Sequence, residues 1–318
     1  MENLHPYIHR TPIKQSATLN KLTGADVYLK LENLQKTGSF KLRGALNKIM
    51  KLSDFEGAKG IVAASAGNHA QGVAFAASKR GIRSKIYMPA NTPNAKAIAT
   101  QSYGAEIVLE GETYQEAFEA AMNERQRKGA TFVHAFDDHD VIAGQGTIGL
   151  ELMQQYNDLQ ALLVPVGGGG LIAGVALAVK SFNPNIKVIG VQASGAPATY
   201  NRFTGTSNYK LQHVQSIADG ILVKEPGQVT YPIIHQLVDE MVTVTDEEIA
   251  YAIMFMLERE KMLVEGAGAA ALAALLCRKV NLVNKRVGTI ISGGNMDLSN
   301  LPLYKKLSKN IEDVRKIS

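Results

Sequence analysis

ALLVPVGGGGLIAG, residues 161–174, sets the reading of this chain. An apolar run of strand length, 161–166, passes through four consecutive glycines into an apolar helical pattern over 171–181. A strand that turns directly into a helix is the building unit of a parallel sheet covered by helices. One or two glycines suffice for such a turn. Four allow consecutive N–H groups to face one point in front of the positive end of the following helix. The result is an anion cradle, suited to phosphate, that needs no Lys or Arg. Two other phosphate loops fit poorly. Gly168, Gly170 and Ala173 satisfy G-x-G-x-x-A, but no Asp or Glu lies between Leu159 and Ala218 to hold a ribose. No Lys-Ser/Thr pair follows the glycines, as a Walker loop demands.

Working outward, apolar strand-like runs recur at 26–31, 60–64, 84–88, 106–109, 131–134, 187–191, 241–244 and 287–292. Helical patterns fall between them, at 42–52, 68–79, 93–102, 114–127 and 143–156. This alternation predicts an α/β fold of parallel sheets with helices on both faces. Thr113-x-x-Glu116 and Thr245-x-x-Glu248 read as capping boxes that start helices. The stretch 192–209, rich in Gly, Pro, Ser, Thr and Asn, reads as a loop. Two further glycine-rich turns follow strands, SAGNHAQG (65–72) and SGGN (292–295). In parallel sheets ligands bind at the strand carboxyl ends, so the three turns are expected to converge on one ligand.

The bulk numbers fit that picture and exclude others. At 318 residues the chain is long enough for two packed lobes. Its net charge of +5 is scattered, with no basic run interleaved with aromatics, which argues against nucleic acid and suits a small anionic ligand. The N-terminus, MENLHPYIHRTPI, has no apolar core of a signal peptide, and no apolar run reaches the roughly 18 residues of a membrane span. Cys277 is the one cysteine, so no internal disulfide forms and a reducing cytoplasm is expected. It is expected as a small core residue of an Ala/Leu-rich helix. Asp137, Asp138 and Asp140 around His139 read as helix caps or solvated acids rather than metal ligands.

KTGSFKLRGA, residues 36–45, carries the second signal. Lys41 enters a helix from a glycine-bearing turn, with Arg43 two residues on. A lysine at a helix N-terminus beside another cation is expected to lose its proton more readily, giving the free amine that Schiff-base chemistry needs.

SFKLRGA (39–45), SAGNHAQG, AGQGT (143–147), PVGGGGLIAG (165–174), IADG (217–220), EGAGA (265–269) and SGGN come in one order along nearly the whole chain. In that order they resemble the threonine dehydratase and serine racemase family, within the tryptophan-synthase-β-like pyridoxal-phosphate enzymes of fold type II. Among these the chain is most similar to the short, catabolic threonine dehydratases, because it ends soon after SGGN. The resemblance implies two lobes with the cofactor between them, a smaller lobe of residues 38–137 inserted into a larger one of 1–37 and 138–318. It implies a homodimer or homotetramer and a small amino-acid substrate, with no nucleic-acid or membrane partner. Lys41 is then the Schiff-base lysine and the base at Cα. Phe40 lies against the pyridine ring, Asn68 bonds the phenolic oxygen, and Gly167, Gly168, Gly169, Gly170 and Leu171 hold the phosphate. Gly220, in IADG, joins the cofactor site, and Ser292 faces the ring nitrogen. Ser65, Ala66, Asn68 and His69 form the loop that grips the substrate carboxylate. Glu265 is equally readable as a helix cap or a cofactor contact.

Departures from the family pattern narrow the activity. Racemases of this family carry a second serine where this chain has Ala66, which has no proton to give. They also bind a divalent metal through two carboxylates where this chain has Gln192 and Ala198, so no metal site is expected and both residues read as loop filler. The implied reaction is dehydration and deamination of L-threonine to 2-oxobutanoate and ammonia, with L-serine as a secondary substrate. Serine or threo-3-hydroxyaspartate dehydration, a serine racemase-like activity, or a cofactor-binding relative without catalysis are the alternatives.

Overall fold

The computed structural model describes residues 4–317; residues 1–3, where the reading of the N-terminus begins, and Ser318 lie outside the described part. The order of elements starts with strand β1 (Ile13–Gln15), helix α1 (Ala17–Thr23) and β2 (Asp26–Leu31). Then follow α2 (Lys41–Met50), α3 (Asp54–Ala58), β3 (Ile61–Ala64), α4 (Asn68–Lys79), β4 (Ser84–Met88), α5 (Asn94–Gln101), β5 (Glu106–Leu109), α6 (Tyr114–Lys128) and β6 (Thr131–Phe132). The second half holds α7 (His139–Gln155), β7 (Ala161–Pro165), α8 (Gly170–Phe182), β8 (Lys187–Ala193), α9 (Ala198–Phe203), α10 (Thr230–Leu237) and β9 (Glu240–Val244). It ends with α11 (Asp246–Phe255), α12 (Gly266–Leu276), β10 (Arg286–Ile291) and α13 (Leu301–Ile317).

Two sheets form, as the alternation predicts. One has six strands in the order β1-β2-β10-β7-β8-β9, the other four in the order β5-β4-β3-β6. Every pairing is parallel except β1 with β2. β7 and β3 are buried along their whole length, as a sheet covered on both faces requires. The strands from 61 to 132 make one sheet and all the other strands make the second. The N-terminal segment does not keep to the larger lobe, because Leu4 and Ile8 pack with Leu42, Leu46 and Val73 in the core of the smaller one.

The local signals explain most element starts. Thr113 and Thr245 form both halves of their capping boxes, and Ser53 with Glu56 forms a third at α3. Short helices α1, α3, α9 and α10 escape a periodicity reading because about two turns or fewer show too little pattern. The expected loop 192–209 instead holds the end of β8 and α9. Gln192 is not loop filler: it is buried in β8, and its Oε1 accepts the N–H of Tyr200 within α9. β6 stops at Phe132, short of the expected 134, because His134 Nδ1 accepts the N–H groups of Phe136 and Asp137 and turns the chain. Cys277 is half-buried at the end of α12 rather than inside the core. The acids around His139 are caps and ion pairs. Asp138 caps α7, Asp137 accepts from the N–H groups of Gln228, Val229 and Thr230 at the start of α10, and Asp140 pairs with Lys48 and Lys51. No cluster of three His, Cys, Asp or Glu side chains suited to a metal occurs among the described residues.

Helix α2, which begins with Lys41, is clamped to the larger lobe from below. Arg43 donates to Glu32 and to Glu151, and Lys30 donates to Glu151, with all four side chains fully buried. Gly144 lets α7 approach the backbone of Arg43 and Gly44, where any side chain would collide. The Gly44 N–H donates to Gln145 Oε1 at 3.1 Å across the same contact.

Candidate active site

The carboxyl ends of β3, β7 and β10 deliver the three glycine-rich turns, and the turn before α2 joins them. Phe40 N–H donates to the Ser292 carbonyl at 3.1 Å, Ser39 bridges to Gly293, and Gly294 N–H donates to the Gly38 carbonyl at 2.9 Å. Thus the Lys41 motif is stitched to SGGN across some 250 residues of sequence, a difference read from Phe40 to Ser292.

Lys41 opens α2, and its amine donates to the Ala135 carbonyl at 2.8 Å and sits 5.3 Å from the centre of the Phe40 ring. Burial of the amine brings its pKa down to about 8, against the opposing pull of the Glu265 carboxylate. Arg43 is not the cause, contrary to the sequence expectation. Its guanidinium is turned away into the network with Glu32 and Glu151.

The glycine turn is packed tightly on its outer side. A methyl group on Gly168 would collide with Phe136 and one on Gly169 with Ile234 and Thr230, while one on Gly170 or Gly167 would be crowded by Phe136 or Ile221. Gly169 has φ +95° and serves as the N-cap of α8. Thr199 Oγ1 donates to the Gly167 carbonyl and Thr230 Oγ1 to the Gly168 carbonyl, so the turn is held by its carbonyls. The first N–H groups of α8, Gly170 and Leu171 among them, have no carbonyl of their own helix to bond.

The loop 65–69 enters α4. Ser65 Oγ accepts the Gly67 N–H, and a side chain on Gly67 would point into open space, so this loop borders the cleft. Ala66 packs partly against the core of the smaller lobe. His69 does not present its side chain here. It is buried, its Nε2 bonds the Val133 carbonyl at 2.8 Å, and burial with the nearby Lys41 charge lowers its pKa to about 3. Its Nδ1 is buried without a hydrogen-bond partner among the described residues. Ser292 is buried with its hydroxyl donating to the Ala267 carbonyl at 3.3 Å. Gly220 lies in a turn of 3-10 helix, Asp219–Ile221, close to Ala267 of α12. Above it Lys96 of α5 pairs with Asp219 at 3.1 Å, one lobe meeting the other at the rim.

Glu265 resolves as part of this site. It occupies the N-cap position of α12 without capping it, and accepts instead from Asn68 Nδ2 at 2.6 Å. Burial, and then the Asp219 carboxylate, raise its pKa to about 7. Asn295 Nδ2 donates both to Asn68 Oδ1 and to the Thr37 carbonyl, each at 2.8 Å. Asn295, Thr199, Thr230 and Phe136 escaped the sequence reading because their partners lie far along the chain. A phosphorylated aldehyde suits this set. The turn leaves no room for side chains, the amine is poised to lose its proton, and Thr37 Oγ1 and Ser39 Oγ are buried without a hydrogen-bond partner among the described residues.

Comparison with known proteins agrees with this chemistry. The family model "Pyridoxal-phosphate dependent enzyme" matches residues 4–293. The L-threonine ammonia-lyase of Thermotoga maritima is 51% identical over 292 residues, covering 92% of this chain and 73% of that protein. The L-threonine dehydratase catabolic TdcB of Staphylococcus aureus is 46% identical, covering 99% of this chain and 92% of that one. The processed form of threonine deaminase isoform 2 from Solanum lycopersicum superposes with a TM-score of 0.92 at 39% identity, over 96% of this chain and 85% of that one. The chain belongs to the pyridoxal-phosphate-dependent enzymes, has their two-lobed fold type II architecture, and takes pyridoxal phosphate as its cofactor.

Proposed function

We propose that this chain is an L-threonine ammonia-lyase, converting L-threonine to 2-oxobutanoate and ammonia, with L-serine as a secondary substrate. The observation that carries the reading is Lys41: a buried amine with lowered pKa, set beside the Asn68–Glu265 pair at the ends of the strands that carry the glycine turn. Pyridoxal phosphate, when bound, supplies an aldehyde for amines and a ring that accepts the electron pair freed at Cα. Gly167, Gly168, Gly169, Gly170 and the N–H of Leu171 hold its phosphate, and the amides of Gly170 and Leu171 add the positive end of α8. Phe40, Asn68, Gly220 and Ser292 would lie about its ring. The loop of Ser65, Ala66, Asn68 and the His69 backbone takes the substrate carboxylate. Lys41 would take the Cα proton, the β-hydroxyl would take up a proton and leave as water, and one water would then hydrolyse the resulting enamine, through its imine, to the 2-oxo acid and ammonia. A serine hydroxyl at Ser292, unlike a carboxylate, would not hold a ring nitrogen protonated, which would favour β-elimination over transamination. The Ala66 methyl gives no proton to the opposite face, so elimination prevails over racemisation. No divalent metal is assigned a role, since Gln192 and Ala198 stand where carboxylates would be required.

A single cysteine suits a reducing compartment, and we place the enzyme in the cytoplasm as a homodimer or homotetramer. No helix among the described residues is long and apolar enough to cross a membrane. The test is purified holoenzyme assayed on L-threonine, L-serine and threo-3-hydroxyaspartate for 2-oxo acid, with D-serine followed by chiral chromatography. Threonine is expected to turn over fastest and D-serine to stay a minor product. Lys41→Ala should abolish turnover, and borohydride should fix the cofactor to Lys41. Labelling of another lysine, or fastest turnover on hydroxyaspartate, overturns the assignment.

A further inference from the structure

Four loops that are distant in sequence are joined by one chain of hydrogen bonds, Thr37–Asn295–Asn68–Glu265. The first link is a backbone carbonyl, which cannot rotate: Asn295 Nδ2 donates to Thr37 O at 2.8 Å, and this fixes which end of the Asn295 carboxamide faces Asn68. Its nitrogen also donates to Asn68 Oδ1 at 2.8 Å. At the other end Asn68 Nδ2 donates to Glu265 Oε1 at 2.6 Å. Turning the Asn68 carboxamide over would set two NH2 groups against each other and a carbonyl against a carboxylate. Only one orientation is therefore satisfied, and it leaves Asn68 a single N–H to offer a ligand. Two glycines make room for the chain. A side chain on Gly38, where φ is +72°, would overlap Asn295, and one on Gly293 would overlap Glu265. Glu265 also forgoes the local capping bond its position offers, although an anionic acceptor makes the stronger charge-assisted bond elsewhere.

We propose that Glu265 is a positioning residue of the reaction: by accepting from Asn68 it locks that carboxamide as a one-donor group aimed at the ring oxygen of the cofactor. The inference rests on the pyridoxal-phosphate site assigned above and adds a residue that acts through Asn68. Lys41, Lys96 and Asp219 are the charged groups that act on Glu265. A carboxylate accepts more strongly than the neutral acid, so the lock is strongest above about pH 7 and weakens as the pH falls below it.

A double-mutant cycle on the holoenzyme tests this, with Asn68→Ala, Glu265→Ala, Glu265→Gln and the Asn68→Ala/Glu265→Ala pair. Each is read for the visible band of the lysine-bound cofactor, for kcat and for KM with L-threonine. Glu265→Ala is expected to lower kcat about 10-fold or more, with KM moving far less, and to shift the band as Asn68→Ala does. The double variant should match Asn68→Ala within about two-fold, because two residues acting through one bond are not additive. Glu265→Gln keeps an acceptor oxygen and should recover part of the loss. The inference is overturned if the two alanine losses multiply, or if Glu265→Ala leaves band and kcat unchanged. Absence of a band and of turnover in the wild type would instead strike the functional reading itself.

Discussion

At the scale of single residues, Lys41 shows how environment rather than neighbourhood in sequence sets reactivity. Arg43 suggested a cationic neighbour, yet its charge is spent on Glu32 and Glu151, and burial alone brings the Lys41 amine to a pKa of about 8. The amine attacks the cofactor aldehyde only when unprotonated. Reconstitution of cofactor-free enzyme is therefore expected to accelerate as pH rises through about 8 and to level off above it. An ordinary lysine, with its pKa near 10.4, would still be gaining rate at pH 9.5. Stopped-flow absorbance across pH 6.5 to 9.5, at roughly half-unit steps, decides between the two curves. His69 makes the complementary point. Its place in SAGNHAQG marked it for the substrate loop, but its ring is turned to Val133 and kept neutral.

At the scale of elements, the β7–α8 turn is defined as much by what it excludes as by what it binds. Phe136, Ile221 and Ile234 wall its outer side, so the run of glycines answers a packing demand together with a need for bare N–H groups. Gly168→Ala would press a methyl into the Phe136 ring and push the turn out of shape. An overpacking cost of about 1–3 kcal/mol, taken from the bound turn, corresponds to roughly 5- to 150-fold weaker cofactor affinity. Equilibrium dialysis of the variant against pyridoxal phosphate measures it, and unchanged affinity would show that the turn tolerates side chains. The capping boxes at α6 and α11 and the alternation of strands with helices were legible because each depends on residues three or four apart. The same reasoning missed α9, whose start is fixed by Gln192 from the neighbouring strand.

At the scale of the whole molecule, the cleft exists because α2 stands on both lobes. Arg43 and Lys30 are fully buried against Glu32 and Glu151, two cations with two anions, so the cluster carries no net charge. Removing one anion leaves a buried charge uncompensated. Glu151→Ala is expected to destabilise the protein by about 3–5 kcal/mol in denaturant unfolding, because breaking a buried pair costs far more than a surface one. A loss below about 1 kcal/mol, the range of exposed pairs, would show that water reaches the cluster. By itself the sequence determined the α/β class, the strands β2 to β10 with most of the longer helices between them, and the three glycine turns. Those are set by local periodicity and by runs of glycine, and both are written in neighbouring residues. The tertiary structure alone decided that Lys41 is lowered by burial, that Gln192 is a strand residue capping α9, and that Glu265 bonds Asn68 rather than its own helix. Burial is a property of the assembled chain, and a hydrogen bond between residues 197 positions apart leaves no pattern along it.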